Sequence, residues 1–164
     1  MERRSTILLI EDNTDDVFLF QHALREGGRD YDVHAVSNGR EAIDYLERAC
    51  RGGEVPQYPV PKFIVMDNNM PDISGSDFLR WISDHQVYRV IPTVVLSGND
   101  HPREVQRAFE LGVHGYFVKP MGGTPLTELL KMIFHYWAES RVPPVKEYQV
   151  TAPGEQATLK TNRG

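Results

Sequence analysis

Five short apolar runs alternate along this chain with segments whose apolar residues recur at helical spacing. The runs have the length of strands and cover residues 6–10, 32–37, 63–67, 93–97 and 115–118. The run at 63–67 is almost wholly apolar, as expected for a strand buried on both faces. Strands that alternate with helices predict an α/β fold, with one parallel sheet covered by helices on both sides.

The size of the chain and the handedness of crossover connections narrow this fold further. Right-handed connections favour a flavodoxin-like (βα)5 doubly wound sheet with strand order 2-1-3-4-5. In that order the first and third strands lie side by side at the point where the winding reverses. The less apolar second strand is expected at an edge.

Local signals mark where the helices begin. Asn38, with Glu41 three residues later, predicts a capping box. The third helix is expected from about residue 74 to residue 84. The last helix is predicted to have Thr124 as N-cap and Pro125 as its first residue. Its apolar stripe comprises Leu126, Leu129, Leu130, Ile133, Phe134 and Trp137.

The helix between the fourth and fifth strands is expected to begin near Pro102 and to end at Gly112. Val105, Ala108 and Phe109 are predicted to face the core. Residues 51–62 before the third strand are rich in Gly and Pro, which predicts a long loop.

Length and charge limit the classes of protein to consider. The chain has 164 residues, which predicts one domain over residues 1–138. Residues 139–164 carry few large apolar side chains and are expected to form a disordered tail. A net charge of -5 offers no general attraction to nucleic acid or to an anionic membrane. A single cysteine, Cys50, and the lack of a long apolar run favour a cytoplasmic protein without a membrane span.

Four of the five strands end in residues that can carry chemistry. Glu11 and Asp12 follow the first strand, Asp67 ends the third, Ser97 ends the fourth and Lys119 follows the fifth. Parallel strands bring their carboxyl ends to one edge of the sheet, where such folds bind ligands. These five residues are therefore expected to converge in one crevice.

The charges of this cluster predict its chemistry. Three close carboxylates repel one another unless a cation joins them, and oxygen ligands with room for water suit Mg²⁺. A metal, the Lys119 amine and the Ser97 hydroxyl around Asp67 would clamp a transferring phosphoryl group. Asp67 would then act as the nucleophile and form an acyl phosphate.

A known family carries the same set of motifs. Glu11-Asp12, Asp67 with Met70-Pro71, Ser97-Gly98, and Tyr116 through Lys119-Pro120 together resemble the receiver domain of two-component response regulators. The resemblance extends over roughly residues 6–138. It implies that Asp67 accepts phosphate from the histidine of a sensor kinase.

The resemblance also implies roles for the surrounding residues. Asp12, Asp67 and the backbone carbonyl of Asn69 would bind Mg²⁺, and Glu11 would assist through a metal-bound water. Ser97 and Tyr116 would form the switch pair beside the phosphate. The Lys119–Pro120 peptide would be cis. Asn68 departs from the usual pattern after the phosphoacceptor but is assigned no required chemistry.

The long loop before the third strand and the lack of an output domain are most similar to stand-alone response regulators of bacterial phytochromes. A sensor histidine kinase, such as a phytochrome, or a phosphotransfer protein is therefore the implied partner. Homodimerisation stays open. A phosphorelay shuttle without its own output is one alternative function.

A second alternative is an aspartyl-phosphate phosphohydrolase. Such enzymes typically have a second acid two residues after the nucleophile, and here that position is Asn69. We therefore expect a phosphorylation-controlled interaction module rather than an enzyme.

Overall fold

The computed structural model describes residues 4–51, 57–70, 74–143 and 145, and in them five parallel strands form one sheet. The order β2-β1-β3-β4-β5 confirms the predicted doubly wound topology, including the edge position of β2. Some predicted features lie outside the described residues. They are the end of the third strand's motif at Pro71, part of the loop at 51–62 and most of the tail. The strands are β1 (Ser5–Ile10), β2 (Tyr31–Val36), β3 (Pro61–Met66), β4 (Thr93–Ser97) and β5 (Gly115–Val118).

Helices connect these strands on both faces of the sheet. Their bounds are α1 (Thr14–Glu26), α2 (Gly39–Ala49), α3 (Gly75–Asp84), α4 (Gln86–Arg89), α5 (Pro102–Glu110) and α6 (Gly123–Glu139). The short α4 was not predicted from the sequence. It is a single turn that has no side-chain cap and is fixed by the burial of Tyr88, which depends on tertiary packing.

Capping side chains begin several of these helices. The Asn38 side chain accepts from the backbone of Glu41, and the Glu41 carboxylate accepts from the backbone of Ser37, so the cap is close to the predicted box. The prediction for α6 was wrong at its start, because Gly122 is the N-cap and Gly123 the first helical residue. Gly122 has φ 92°, a conformation that glycine adopts without steric cost.

The sheet separates two apolar cores. Alternate residues of β1 and β3 point to opposite faces: Ile7 and Phe63 pack with α1 and α6, whereas Leu8 and Ile64 pack with α2, α3 and α5. This alternation explains why central strands of a doubly wound sheet are apolar at every position. The predicted stripe of α6 faces the first core, with Leu129 only partly buried.

The predicted core side of α5 was correct for Ala108 but wrong for Phe109. Ala108 is buried, whereas Phe109 is 52% exposed. Consecutive helical residues point about 100° apart, and in α5 the side that carries Ala108, rather than Phe109, faces the core.

The chain beyond α6 keeps some contact with the domain. Val142 packs against the core of α1 and α6, and Val145 packs against the core on the other face. Residues 144 and 146–164 lie outside the described part, so the prediction of a disordered tail stays a prediction. Within the described residues, none of the helices combines the length and apolarity needed to cross a membrane.

Replacing Phe134 by alanine tests the packing of α6. Its ring is fully buried and meets Phe20 of α1 edge-on, with centroids 4.9 Å apart. We expect Phe134→Ala to lower the free energy of unfolding by about 3–5 kcal/mol, because a large cavity forms. Urea unfolding measures this loss. Met132→Ala, on the exposed side of the same helix, should have little effect, and equal losses for the two variants would contradict the packing described.

Candidate functional site

The carboxyl ends of three strands meet at a single lysine. The Lys119 ammonium lies 2.8 Å from Glu11 Oε2 and 2.9 Å from Asp67 Oδ2. Glu11, Asp67 and Lys119 come immediately after the last residues of β1, β3 and β5, respectively. Of the five residues expected to converge at this edge, Glu11, Asp67 and Lys119 are in direct contact, with the cation between the acids.

Asp67 is held through both of its carboxylate oxygens. Oδ1 accepts from the backbone N–H of Asn69 at 2.9 Å, and Oδ2 accepts from Lys119. The backbone N–H of Asp67 donates to the carbonyl of Ile10, which extends the pairing of β1 with β3 by one residue. The carboxylate is therefore fixed in direction while its side chain stays 12% exposed to solvent.

Glu11 is the most deeply buried acid of the cluster. Its backbone donates to the carbonyl of Val36, and Oε1 accepts from the backbone of Asn13 at 3.1 Å. Burial raises the pKa of Glu11 above the ordinary value, although the hydrogen bond and charge of Lys119 act to lower it.

Burial of the Lys119 ammonium lowers its pKa, but hydrogen bonds to Asp16, Glu11 and Asp67 outweigh this and hold the pKa above the ordinary value. The lysine therefore stays charged throughout the neutral range. Its backbone N–H donates to the carbonyl of Ser97 at 2.8 Å, which fixes the start of the side chain at the end of β5.

Asp16 is a member of this site that sequence reasoning missed. Its Oδ2 lies 2.7 Å from the Lys119 ammonium, closer than either predicted partner. Asp16 lies in the first turn of α1, and a helix that follows a parallel strand begins at the carboxyl edge of the sheet. An acidic residue in the first turn of this helix was therefore the sequence signal that could have indicated Asp16 as a site residue.

Ser97 and Tyr116 are joined through one residue of the loop between β4 and α5. The buried Ser97 hydroxyl accepts from the backbone N–H of Asn99 at 3.2 Å. The Tyr116 hydroxyl donates to the backbone carbonyl of Asn99 at 2.6 Å. The side chain of Asn99 in turn accepts from the backbone of His101, the N-cap of α5.

Asn68 provides a second connection to α5, which was not predicted. Its side-chain amide donates to Glu104 Oε2 at 3.1 Å, across from β3 to the first turn of α5. Gly75 allows this position, since a Cβ there would lie 2.5 Å from the Asn68 side-chain oxygen. The loop after Asp67 and the start of α5 are therefore in direct contact.

The remaining expectations from the resemblance have different outcomes. Asp12 is exposed and lies outside the cluster around Lys119. The cis Lys119–Pro120 bond was a wrong prediction, because the described residues contain no cis peptide. The trans form is the ordinary, lower-energy state of a peptide before proline, and Lys119 reaches its carboxylates in that form.

The donor atoms are compatible with a hard cation. Among the described residues, no three His, Cys, Asp or Glu side chains form a metal-binding group, and Lys119 pairs with Glu11 and Asp67. Mg²⁺, however, binds through one or two carboxylates and keeps several waters. Glu11 and Asp67 supply such oxygens at the open edge of the sheet, so the residues present fit this ion.

Comparison with known proteins identifies the family. The model of the response regulator receiver domain matches residues 7–131. This chain belongs to that family. The earlier resemblance is therefore confirmed, and with it the domain's general function as a response regulator phosphorylated by a histidine kinase.

Several receiver domains of known structure or sequence align with most of this chain. The phosphorylated cyanobacterial phytochrome response regulator RcpA is 30% identical, with a TM-score of 0.78, over 87% of this chain and all of that one. Response regulator Rcp1 of Synechocystis is 29% identical over 84% of this chain and 92% of its own length. Its Mn²⁺-bound form has a TM-score of 0.76, over 85% of this chain and 99% of that one.

A relative of another type has similar identity. The probable methanogenesis regulatory protein FilR2 of Methanothrix harundinacea is 29% identical, over 80% of this chain and 82% of its own length. The match to RcpA confirms the likeness to phytochrome response regulators. The Mn²⁺-bound form of Rcp1 agrees with a divalent metal in such domains.

Removing the central cation tests the electrostatics of this site. Lys119→Met leaves three close carboxylates without their cation, so without added metal we expect a loss of about 2 kcal/mol or more in unfolding free energy at neutral pH. The loss should shrink towards acid pH. Repulsion raises the carboxyl pKa values of the folded variant above those of the unfolded chain, so its stability falls as the pH rises.

Urea unfolding in EDTA at about pH 7 and about pH 5 measures both effects. Lys119 itself adds no pH dependence there, since its raised pKa keeps it fully charged below the ordinary lysine value. Lys131→Met is the matched control. Lys131 pairs with Glu26 and Glu128 at 3.0 and 3.1 Å on the surface, and its loss should matter little. A loss independent of pH in Lys119→Met would argue against the proposed repulsion.

Proposed function

We propose that Asp67 accepts a phosphoryl group from a histidine kinase or a phosphotransfer protein and that Mg²⁺ is required for this reaction. The observation that supports the proposal is the way in which hydrogen bonds orient the Asp67 carboxylate. One oxygen is held by the Asn69 backbone and the other by Lys119, at the open carboxyl edge of the sheet.

The transfer balances as a displacement at phosphorus. A carboxylate oxygen of Asp67 attacks the phosphorus of a donor phosphohistidine, and the new O–P bond forms as the N–P bond breaks. The histidine ring leaves with the electron pair of that bond and takes up a proton. Lys119 offsets negative charge next to the transferred group throughout, because its raised pKa keeps it protonated.

The metal set follows the family resemblance, and it includes Asp12, which is exposed and lies outside the cluster around Lys119. We infer that Asp12, Asp67 and the backbone carbonyl of Asn69 hold Mg²⁺, with Glu11 acting through a metal-bound water. What the ion would supply is positive charge beside the phosphoryl oxygens. Oxygen-only donors at an open edge support this choice over a softer metal.

An interaction module explains the site better than a phosphohydrolase does. Residue 69 is an exposed asparagine whose backbone N–H, rather than a second acid, approaches Asp67. No general base for attack by water is thereby supplied at that position. We therefore assign no catalytic turnover to the domain beyond slow loss of its own phosphoryl group.

The partner is inferred from the relatives and from the surface near the site. RcpA is a phytochrome response regulator, which supports a phytochrome kinase as the phosphodonor here. Two large exposed apolar side chains lie close in sequence to residues of the site: Phe18, two residues after Asp16, is 60% exposed, and Met121, two residues after Lys119, is 95% exposed. Exposed apolar groups beside a reacting centre suit the docking of a partner helix. We assign this exchange to the cytoplasm.

Replacing Asp67 by asparagine is the direct test of phosphorylation. Asp67→Asn should abolish labelling by acetyl phosphate, because the amide cannot form an acyl phosphate. Labelling of the unmodified protein should require Mg²⁺ and stop in EDTA. Asp84→Asn, an exposed acid at the end of α3, is the control and should label normally. Full labelling of Asp67→Asn would refute the assignment.

The output is proposed to pass from Ser97 to Tyr116. A phosphoryl group adds nearly two negative charges and three acceptor oxygens beside the Ser97 hydroxyl. Ser97 then turns to donate to the phosphoryl group, and the hydrogen bond that it accepts from Asn99 weakens. Because Tyr116 donates to the same residue, its ring is released to turn inward.

This change would reshape the face formed by α5, β5 and α6. Each of these three elements carries exposed apolar side chains, which are Phe109, Val118, Met132 and Tyr136. We propose that this face forms the surface for a downstream partner or a second copy of this chain. A shift of a few kcal/mol between two conformations is enough to switch such a population.

Ser97→Ala tests this route. The variant should still accept phosphate on Asp67 but should respond weakly, because no hydroxyl can follow the phosphoryl group. Beryllofluoride with Mg²⁺ mimics the phosphoryl group, and amide shifts of Asn99, Tyr116 and α5 report the response. Ser83→Ala, on α3, should respond like the unmodified protein. Unchanged shifts in the unmodified protein would contradict the route.

A further inference from the structure

Asp16 forms the shortest of three ion pairs to Lys119. Its Oδ2 lies 2.7 Å from the ammonium, compared with 2.8 Å for Glu11 and 2.9 Å for Asp67. A lysine ammonium has three N–H donors, and here each is directed to a different carboxylate. The lysine therefore has no donor left for a further oxygen unless one carboxylate releases it.

The three carboxylates differ in what they do in the proposed reaction. Asp67 receives the phosphoryl group, and Glu11 belongs to the proposed metal set. Asp16 has neither role. It comes from α1 rather than from a strand end, and its side chain is more exposed than the other two, at 27%. Its contact with Lys119 therefore needs a separate explanation.

We propose that Asp16 is a positioning residue that competes with the phosphoryl group on Asp67 for the Lys119 ammonium. The inference rests on the proposed function of Asp67. The phosphoryl oxygens need a donor from Lys119, and Asp16 holds one of the three. Its negative charge also lies next to that ammonium, where it repels the incoming anion. Asp16 thus limits the stability of the phosphorylated state.

The same arrangement explains why the Asp16 carboxylate is useful in the free protein. Without Asp16, only two carboxylates would restrain the flexible lysine side chain. Asp16 holds the ammonium at the crevice from the side of α1 and ties that helix to the end of β5. The same contact that orders Lys119 before transfer therefore opposes its full engagement afterwards.

Asp16→Asn tests the proposal with Asp15→Asn as a matched control. Both acids lie in the first turn of α1, so both variants lose one negative charge and the same favourable interaction with the helix dipole. Asp15 is exposed and is not among the Lys119 partners. Any difference between the variants therefore reports the contact with Lys119.

Affinity for beryllofluoride in the presence of Mg²⁺ is the first measurement, by calorimetric titration. Asp16→Asn should bind the mimic about fivefold more tightly, the size of a partly exposed charge interaction, while Asp15→Asn binds like the unmodified protein. After labelling with acetyl phosphate, Asp16→Asn should also lose its phosphoryl group more slowly. Equal or weaker binding by Asp16→Asn would overturn the proposal.

Exchange of the Lys119 ammonium protons with water is a second measurement. A purely structural role of Asp16 would leave this exchange rate unchanged. In ¹⁵N spectra of the free proteins, this exchange should be faster in Asp16→Asn and unchanged in Asp15→Asn. If Asp16→Asn unfolds, Asp16→Ala serves as the second variant and should show the same tighter binding. Failure of the unmodified protein to bind beryllofluoride would instead refute the proposed function, and this inference with it.

Discussion

The pairing of one partly buried ammonium with three carboxylates is the interaction on which the arrangement of this site depends. Lys119 connects the ends of β1, β3 and β5 and the first turn of α1. Without that cation, the acids would repel one another or take up protons. The pKa of Glu11 is already raised, chiefly by its burial. The doubly wound sheet brings these residues together because all its strands end at the same edge.

Two polar contacts connect this charged cluster to α5. Asn99 joins the Ser97 and Tyr116 side chains through its backbone, and Asn68 reaches Glu104 from the loop that follows Asp67. Both contacts begin at residues next to strand ends and finish at or near the first turn of α5. A change in charge at Asp67 therefore has short, directed routes to a helix whose outer face is partly apolar.

The sequence predicted the fold and the strand-end residues because both follow from local patterns. Apolar runs and helical spacing determine the order of the elements, and the positions of Asp67 and Lys119 after their runs place them at one edge. Contacts between distant residues were missed. Asp16 and Glu104 are ordinary first-turn acids, and only tertiary structure shows what they meet. The turn of α4 and the start of α6 likewise depend on packing and on Gly122.

The balance of charge explains why such a site can act as a switch. All three donors of Lys119 are engaged in the free crevice, so a phosphoryl oxygen can accept from this ammonium only if one carboxylate gives up its hydrogen bond. In the proposed function the added charge recruits the Ser97 hydroxyl and part of the Lys119 ammonium. Each of these groups must leave a partner that it has in the free protein. Under this proposal, the hydrogen bonds given up at Asn99 and Asp16 set how far phosphorylation shifts the conformation of the domain.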